Sequence, residues 1–135
     1  MRFVLDNSVL CGWLLEDQAT AYSEAVAGCL LDGRALAPAL LPLEYSNVLR
    51  TACKRGRMTA RRAQDAIRQI EQLPLDIDHE IPDAAQVLAL SLRYDLTCYD
   101  AAYLDLALRR QLPIATQDNT LADAARIAGV SVFEP

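Results

Sequence analysis

The chain has 135 residues and a mass of 14.9 kDa, 53% hydrophobic and 23% charged. That is enough to bury one core without disulfide or metal staples, and too apolar for intrinsic disorder. No apolar run approaches the roughly 20 residues that span a bilayer, and Met1-Arg2-Phe3-Val4-Leu5-Asp6 reaches an acid too soon for a signal peptide, so one soluble, cytoplasmic domain over residues 1–135 is expected.

Phe3-Val4-Leu5 is a short apolar run of the kind that forms a parallel strand buried on both faces. A helix from Ser8 and another over about Ala19 to Leu31 follow, the second ending near Gly33, before a strand from Arg34 to Ala37. Pro38 and Pro42 bracket the start of a helix that carries Leu43, Glu44, Asn47, Val48, Leu49 and Ala52 and stops around Gly56. Thr59 caps the next helix, marked out by Ile67, Ile70 and Leu73 and closed by Pro74. Leu75-Asp76-Ile77 is a third strand, and Pro82 at a first helical position opens a helix to Tyr94. A helix from about Tyr99 to Arg110, a fourth strand Pro113-Ile114-Ala115, a helix from Asn119 to Ala128 ended by Gly129, and a fifth strand Val130-Ser131-Val132-Phe133 complete the order. Strands alternating with helices predict an α/β fold with a parallel sheet covered on both sides. Ligands of such sheets bind beyond the carboxyl ends of the strands, where the strand order reverses.

Most of the 18 acids, Asp78 and Glu80 among them, lie where solvent explains them. Four do not. Asp6 directly follows the first strand, and Asp118 follows the fourth after Thr116 and Gln117, so both lie on the carboxyl-end rim. The competing role for each is to cap the next helix, which Asp does well. Glu44 interrupts the apolar start of its helix, with Asn47 and Val48 on its face, and Asp100 does the same in Tyr99-Asp100-Ala101-Ala102-Tyr103-Leu104. A buried carboxylate needs a partner or a metal. Asp105 is five positions beyond Asp100, about 140° round a helix, so both cannot point at one ion.

Carboxylates gathered without His or Cys suit the hard cations Mg²⁺ or Mn²⁺, which take oxygen ligands and can activate water against a phosphodiester. The single His79 stands in an acidic stretch at the surface, and the four cysteines have no metal-like spacing and read as reduced, mostly buried thiols. The net charge of −5 argues against a polyanion partner, yet Arg50, Lys54, Arg55, Arg57, Arg61, Arg62 and Arg68 fall within 19 positions. They are either solvated helix faces or a rim that guides phosphates, Arg55, Arg57, Arg61 and Arg62 being the candidates. A metal at an acidic centre beside a basic rim reconciles the two charges.

Val4-Leu5-Asp6-Asn7-Ser8, Pro42-Leu43-Glu44-Tyr45-Ser46-Asn47-Val48-Leu49, Thr97-Cys98-Tyr99-Asp100-Ala101-Ala102-Tyr103-Leu104 and Ile114-Ala115-Thr116-Gln117-Asp118 resemble, in order and spacing, the motifs of PIN-domain proteins, in particular VapC-type toxins of bacterial toxin–antitoxin pairs. The resemblance covers essentially the whole chain. It implies a three-layer α/β/α fold with five parallel strands in the order 3-2-1-4-5, and a Mg²⁺- or Mn²⁺-dependent endoribonuclease that leaves 5′-phosphate and 3′-hydroxyl ends. Asp6, Glu44, Asp100 and Asp118 then form the acid cluster, Asp6 and Asp118 as direct ligands, and Glu44 and Asp100 as ligands or base. Ser8 and Thr116 support the cluster through their hydroxyls, with Asn47 beside Glu44. Asp105 stands where many members have a small residue; it either adds a water-mediated contact or faces solvent. The resemblance also implies an RNA substrate, a homodimer and a small antitoxin that blocks the groove.

Three other chemistries share this plan or its residues. A phosphoacceptor receiver domain wants paired acids after the first strand and a late Lys, but Asn7 follows Asp6 and Lys54 is the only Lys. A phosphatase of the haloacid-dehalogenase type wants a second Asp where Ser8 stands, and a serine hydrolase built on Ser8 lacks a suitable His, since His79 is the only one and stands in the acidic surface stretch. The remaining alternative is a non-catalytic PIN scaffold that binds RNA or a protein partner.

Overall fold

Four parallel strands, β1 (Arg2–Leu5), β2 (Arg34–Pro38), β3 (Leu75–Asp78) and β4 (Ile114–Ala115), lie in the order β3-β2-β1-β4 in the computed structural model, which describes all 135 residues. Seven helices connect and flank them: α1 (Asn7–Leu14), α2 (Ala21–Cys29), α3 (Leu41–Lys54), α4 (Ala60–Glu71), α5 (Ala84–Tyr94), α6 (Cys98–Arg110) and α7 (Asn119–Ile127). None is long and apolar enough to cross a membrane. The steps from β1 to β2 to β3 run one way along the sheet, so right-handed crossovers place α1 to α4 on one face. The step from β3 back past β1 to β4 runs the other way and puts α5 and α6 on the opposite face, where α6 lies across β1 and β2. The strand order therefore reverses between β1 and β4, which is where such sheets open a ligand crevice.

Phe3, Val4 and Leu5 are fully buried, as a strand covered on both faces requires, and join a core that includes Leu36, Leu49, Leu104, Leu106 and Leu121. The expected fifth strand is reduced to one parallel bridge, Val132 opposite Ile114. Because β4 is only two residues long, the ladder to the tail stops at two backbone bonds, Ile114 N to Ser131 O at 3.0 Å and Phe133 N to Ile114 O at 2.8 Å, and side chains add to them. The Phe3 and Phe133 rings stack with centroids 4.2 Å apart, and the Tyr22 hydroxyl donates to the Phe133 carbonyl at 2.8 Å.

Helix starts follow the polar caps. Thr59 Oγ1 accepts from Arg62 N at 3.1 Å, as read from the sequence. The second helix begins at Ala21, later than expected, because Thr20 and Ser23 form a reciprocal capping box and Glu16–Gln18 makes a separate 3₁₀ turn. Pro82 is not the first helical residue: Asp83 is the cap, its Oδ1 accepting from Ala85 N at 3.2 Å. Gly129, at φ 85°, follows α7 in the left-handed conformation. The cysteines are all free, but only Cys11 is buried; Cys98 is exposed.

Gly12 lets α1 and α2 approach closely. A Cβ there meets Ser23 Oγ at 2.6 Å and Ser23 Cβ at 2.8 Å, with Gln18 O at 3.1 Å. Gly12→Ala is expected to destabilise the fold by about 1–3 kcal/mol despite the better helix propensity of Ala, as thermal or urea unfolding will read. A variant as stable as the parent would show that Ser23 yields freely.

One acid assigned to solvent, Asp78, and one left open between site and solvent, Asp105, prove to be buried and structural, while Glu80 is exposed as expected. Asp78 and Asp105 are 7% and 4% exposed and share Arg109, which reaches Asp78 Oδ2 at 3.1 Å, Asp105 Oδ2 at 2.9 Å and Glu80 Oε2 at 2.9 Å. Arg110 adds a 3.4 Å contact to Asp78 Oδ1. Burial pushes the Asp78 carboxyl up, but the guanidiniums and the Glu80 N–H outweigh it and leave it below its usual value. Asp105 therefore neither faces solvent nor joins the rim; it is clamped to Arg109 one helical turn on.

Candidate active site

The parallel register of β1 on β4 pairs Val4 with Ile114 and Leu5 with Ala115, and Asp6 N extends the ladder to Ala115 O at 3.0 Å. Thr116 thus falls beside Asp6. Its Oγ1 donates to Asp6 Oδ2 at 2.7 Å, and Ser8 Oγ donates to the same oxygen at 2.6 Å. Each hydroxyl is itself oriented by a backbone donor, Asp118 N to Thr116 Oγ1 at 3.0 Å and Gln117 N to Ser8 Oγ at 2.8 Å. A hydroxyl that accepts from the backbone has its one proton left for the carboxylate, so the β4–α7 turn aims both protons at Asp6.

All four candidate acids stand at helix starts. Asp6 precedes α1, Glu44 and Asp100 lie in the first turns of α3 and α6, and Asp118 caps α7. The positive ends of four helix dipoles favour negative charge there. Asp118 is a cap in full, its Oδ1 accepting from Thr120 N at 2.9 Å and Leu121 N at 3.4 Å, which leaves Oδ2 without a protein donor. Asp6 makes no side-chain cap bond, so capping does not explain it. Glu44 Oε1 accepts from the Tyr103 hydroxyl at 2.6 Å, and Thr97 Oγ1 fixes the Asp100 turn by accepting from Asp100 N at 3.1 Å.

No Lys or Arg pairs with any of the four. The electrostatics follow. Burial pushes Asp6 up, against the Ser8 and Thr116 hydrogen bonds, with repulsion from Asp118 adding to the rise. Burial, then Asp6 and Asp118, lift Asp100 to about 6. Glu44 is raised by burial, against the Tyr103 bond, and by Asp6 and Asp100. Beneath them the Cys11 thiol is pushed up to about 11 by burial and by Asp6 and Glu44, so it stays protonated and inert. The acids thus lie within electrostatic reach of one another in pairs, Asp6 with Asp118, Glu44 with Asp6 and Asp100, and Asp100 with Asp6 and Asp118, although they come from segments up to more than a hundred residues apart.

The remaining sequence candidates are less united. Asn47 is exposed on α3 and makes no hydrogen bond with Glu44. Arg55, Arg57, Arg61 and Arg62 are exposed as well, and Arg57 holds Asp17 at 3.2 Å. Two contributors escaped the sequence reading. Tyr103 looked like one more core residue of α6, and a lone hydroxyl in that apolar stripe was the only signal. Gln117 Nε2 donates to Ser8 O at 2.9 Å, and its Oε1 accepts from Thr20, pinning the turn that orients both hydroxyls.

The donor set suits a hard divalent cation: it is all carboxylate, partly buried and without cationic compensation. No three acidic side chains close around one point as a preformed cage. Thr116→Val removes a proton donor from Asp6 at nearly constant shape. It is expected to lower divalent-ion affinity about 10–100-fold, measured calorimetrically with Mn²⁺, and unchanged affinity would show that Ser8 alone positions Asp6.

Comparison with known proteins is consistent along the chain. The family model described as PIN domain matches residues 3–127. Ribonuclease VapC1 of Mycobacterium tuberculosis is 32% identical over 99 residues, 72% of this chain and 72% of its own. Among solved structures, PAE2754 from Pyrobaculum aerophilum superposes with a TM-score of 0.72 at 21% identity, over 92% of this chain and 84% of that one. FitAcB from Neisseria gonorrhoeae gives 0.63 at 18% identity, over 100% and 98% of the two chains. VapBC2 from Rickettsia felis, bound to a DNA fragment from their promoter, gives 0.64 at 10% identity, over 98% of each.

Proposed function

The chain belongs to the PIN-domain family and, within it, to the VapC-type proteins, and from that premise we propose that it is an endoribonuclease, the toxin of a toxin–antitoxin pair, dependent on Mg²⁺ or Mn²⁺. The observation that carries the reading is the set of four carboxylates at the β1–β4 switch point with no basic partner. Asp6 and Asp118 would hold the ion directly, with Glu44 and Asp100 beside them or through water. When bound, such an ion would supply a water of lowered pKa and offset charge on the scissile phosphate and leaving oxygen.

The protein's own groups supply the precision. Ser8 and Thr116 hold Asp6 by one oxygen, α7 holds Asp118 by Oδ1, and Tyr103 holds Glu44 by Oε1, so three of the acids are fixed before substrate arrives. Asp100, whose side chain no donor from another segment restrains, is the acid best placed to receive the proton of the attacking water. Attack of water on phosphorus then breaks the P–O3′ bond, so the upstream fragment departs with a free 3′-hydroxyl and the downstream fragment keeps a 5′-phosphate. The likeness to Ribonuclease VapC1 supports RNA as substrate, and the likeness to FitAcB and VapBC2 supports a cognate antitoxin. A homodimer in the cytoplasm is expected.

The test is cleavage of a mixed set of structured RNAs by the purified protein with Mg²⁺, with Mn²⁺ and with EDTA. Cutting that appears with metal and vanishes with EDTA is the expected result. RNA that is bound but never cut under any condition would overturn the nuclease in favour of the non-catalytic scaffold.

A further inference from the structure

Glu44, Asn47, Val48, Thr51, Ala52 and Arg55 recur at helical spacing, so they form one stripe along α3 that starts at the acid cluster. From Glu44 to Arg55 is 11 residues, a rise of about 16 Å. The far part of the stripe opens into a cavity of about 160 Å³, lined by Asn47, Thr51, Arg55 and Arg57 with Leu15 at its edge. This is too small for an enclosed metabolite, which fills roughly 300–1,000 Å³, and large enough for the phosphate of a strand lying on the surface. Its polar lining is two guanidiniums, an amide and a hydroxyl, all able to donate to an anion. Arg61 and Arg62, from the same basic stretch, do not line it.

One carboxylate already tests that chemistry: Asp17, on the 3₁₀ turn after α1, sits 3.2 Å from Arg57, with both side chains about 60% exposed. An exposed pair of this kind is weak and exchanges readily for a better anion.

We propose that the Asn47–Thr51–Arg55–Arg57 cavity binds a backbone phosphate of the RNA strand a few nucleotides from the scissile bond, and that Asp17 competes for it as an internal anion. The proposal rests on the nuclease reading above and extends it. Arg55 and Arg57 act on strand position and not on the chemical step, while Asp17 sets a threshold against weakly held polyanions.

The experiment measures a mixed-sequence single-stranded RNA in two ways: cleavage by the active protein with Mn²⁺, and binding by an Asp118→Asn variant over a salt series. Arg55→Ala and Arg57→Ala are expected to raise KM about fivefold with kcat unchanged, and each to lower the slope of log affinity against log salt by about 1. Asp17→Asn is expected to tighten binding about two- to threefold, with no change in kcat. Arg34→Ala, at the amino end of β2 and away from the cavity, serves as the control and leaves all three nearly unchanged. Cutting by the parent together with parental KM and salt slope in both arginine variants would overturn the cavity and leave the nuclease standing. No cutting by any protein, with binding that still depends on Arg55 and Arg57, would overturn the nuclease and leave the cavity standing. Arginine-dependent capture of polyglutamate without any effect on RNA would reassign the cavity to an acidic protein segment and overturn it as an RNA site.

Discussion

Asp6→Asn is expected to abolish RNA cleavage, by at least about a hundredfold in kcat, while leaving the metal-free protein as stable or about 1 kcal/mol more stable. The two effects have one cause. Asn keeps the size of Asp and a carbonyl oxygen that accepts from Ser8 and Thr116, so the hydrogen-bond frame of 2.6 and 2.7 Å survives. What is lost is a charge in a place 4% exposed, raised by burial and by Asp118, with no basic neighbour to offset it. That charge is unfavourable for folding and useful only to a cation.

The same logic fixes a pH dependence. Asp6, Glu44 and Asp100 all have folded-state values above their unfolded ones, Asp100 at about 6 against 3.8, so the folded protein binds more protons than the unfolded chain in that window. Stability in EDTA should therefore rise as the pH is lowered from 7 toward 5, and Asp100→Asn should flatten that rise. Thermal melts across this range, with and without Mn²⁺, decide it. A melting temperature in EDTA that falls on acidification would contradict the crowding of charge at the site.

Arg109→Ala carries the largest expected effect on stability, a loss on the order of 3 kcal/mol. One guanidinium joins the end of β3, the following loop and α6 through Asp78, Glu80 and Asp105, and its removal strands two carboxylates that are 7% and 4% exposed. Arg110, at 3.4 Å from Asp78, compensates in part and does not reach Asp105. Because Asp78 lies below its usual value, its contribution is present above about pH 4 and is lost as the pH falls through the folded value, opposite in sign to the site acids. Urea unfolding at neutral pH gives the measurement, and Asp105→Asn combined with Arg109→Met should recover part of the loss because it removes both the charge and its partner. A single Arg109→Ala variant within 0.5 kcal/mol of the parent would show that water replaces the clamp.

Periodicity and breakers made most elements legible. The apolar run Phe3-Val4-Leu5, the Thr59 cap and Gly129 after α7 stand where local physics puts them. Errors came where competing local signals were close in strength. Pro82 and Asp83 both suit a helix start and the hydrogen-bonding side chain prevailed, while Val130 to Phe133 has strand composition but faces a two-residue β4. Among acids, sequence could single out Asp6, Glu44, Asp100 and Asp118 by their apolar context, since an acid at the edge of an apolar run is costly to bury. It could not separate Asp78 from surface acids, because its partner Arg109 is 31 residues away, and although Asp105 stands one helical turn before Arg109, a spacing visible in the sequence, its burial is decided only by packing.

The sequence by itself determined the alternation of strands and helices, the positions of the four acids at strand ends and helix starts, and hence an α/β chain with an acidic rim, because these depend on neighbours within a few residues. Tertiary structure alone decided that Thr116 lies beside Asp6, that Tyr103 restrains Glu44, and that Arg55 and Arg57 share a cavity at the end of the stripe from Glu44. Those relations depend on the β1–β4 register and on the packing of α3 and α6 across the sheet. Such contacts join residues as many as 110 positions apart, and no local pattern encodes them.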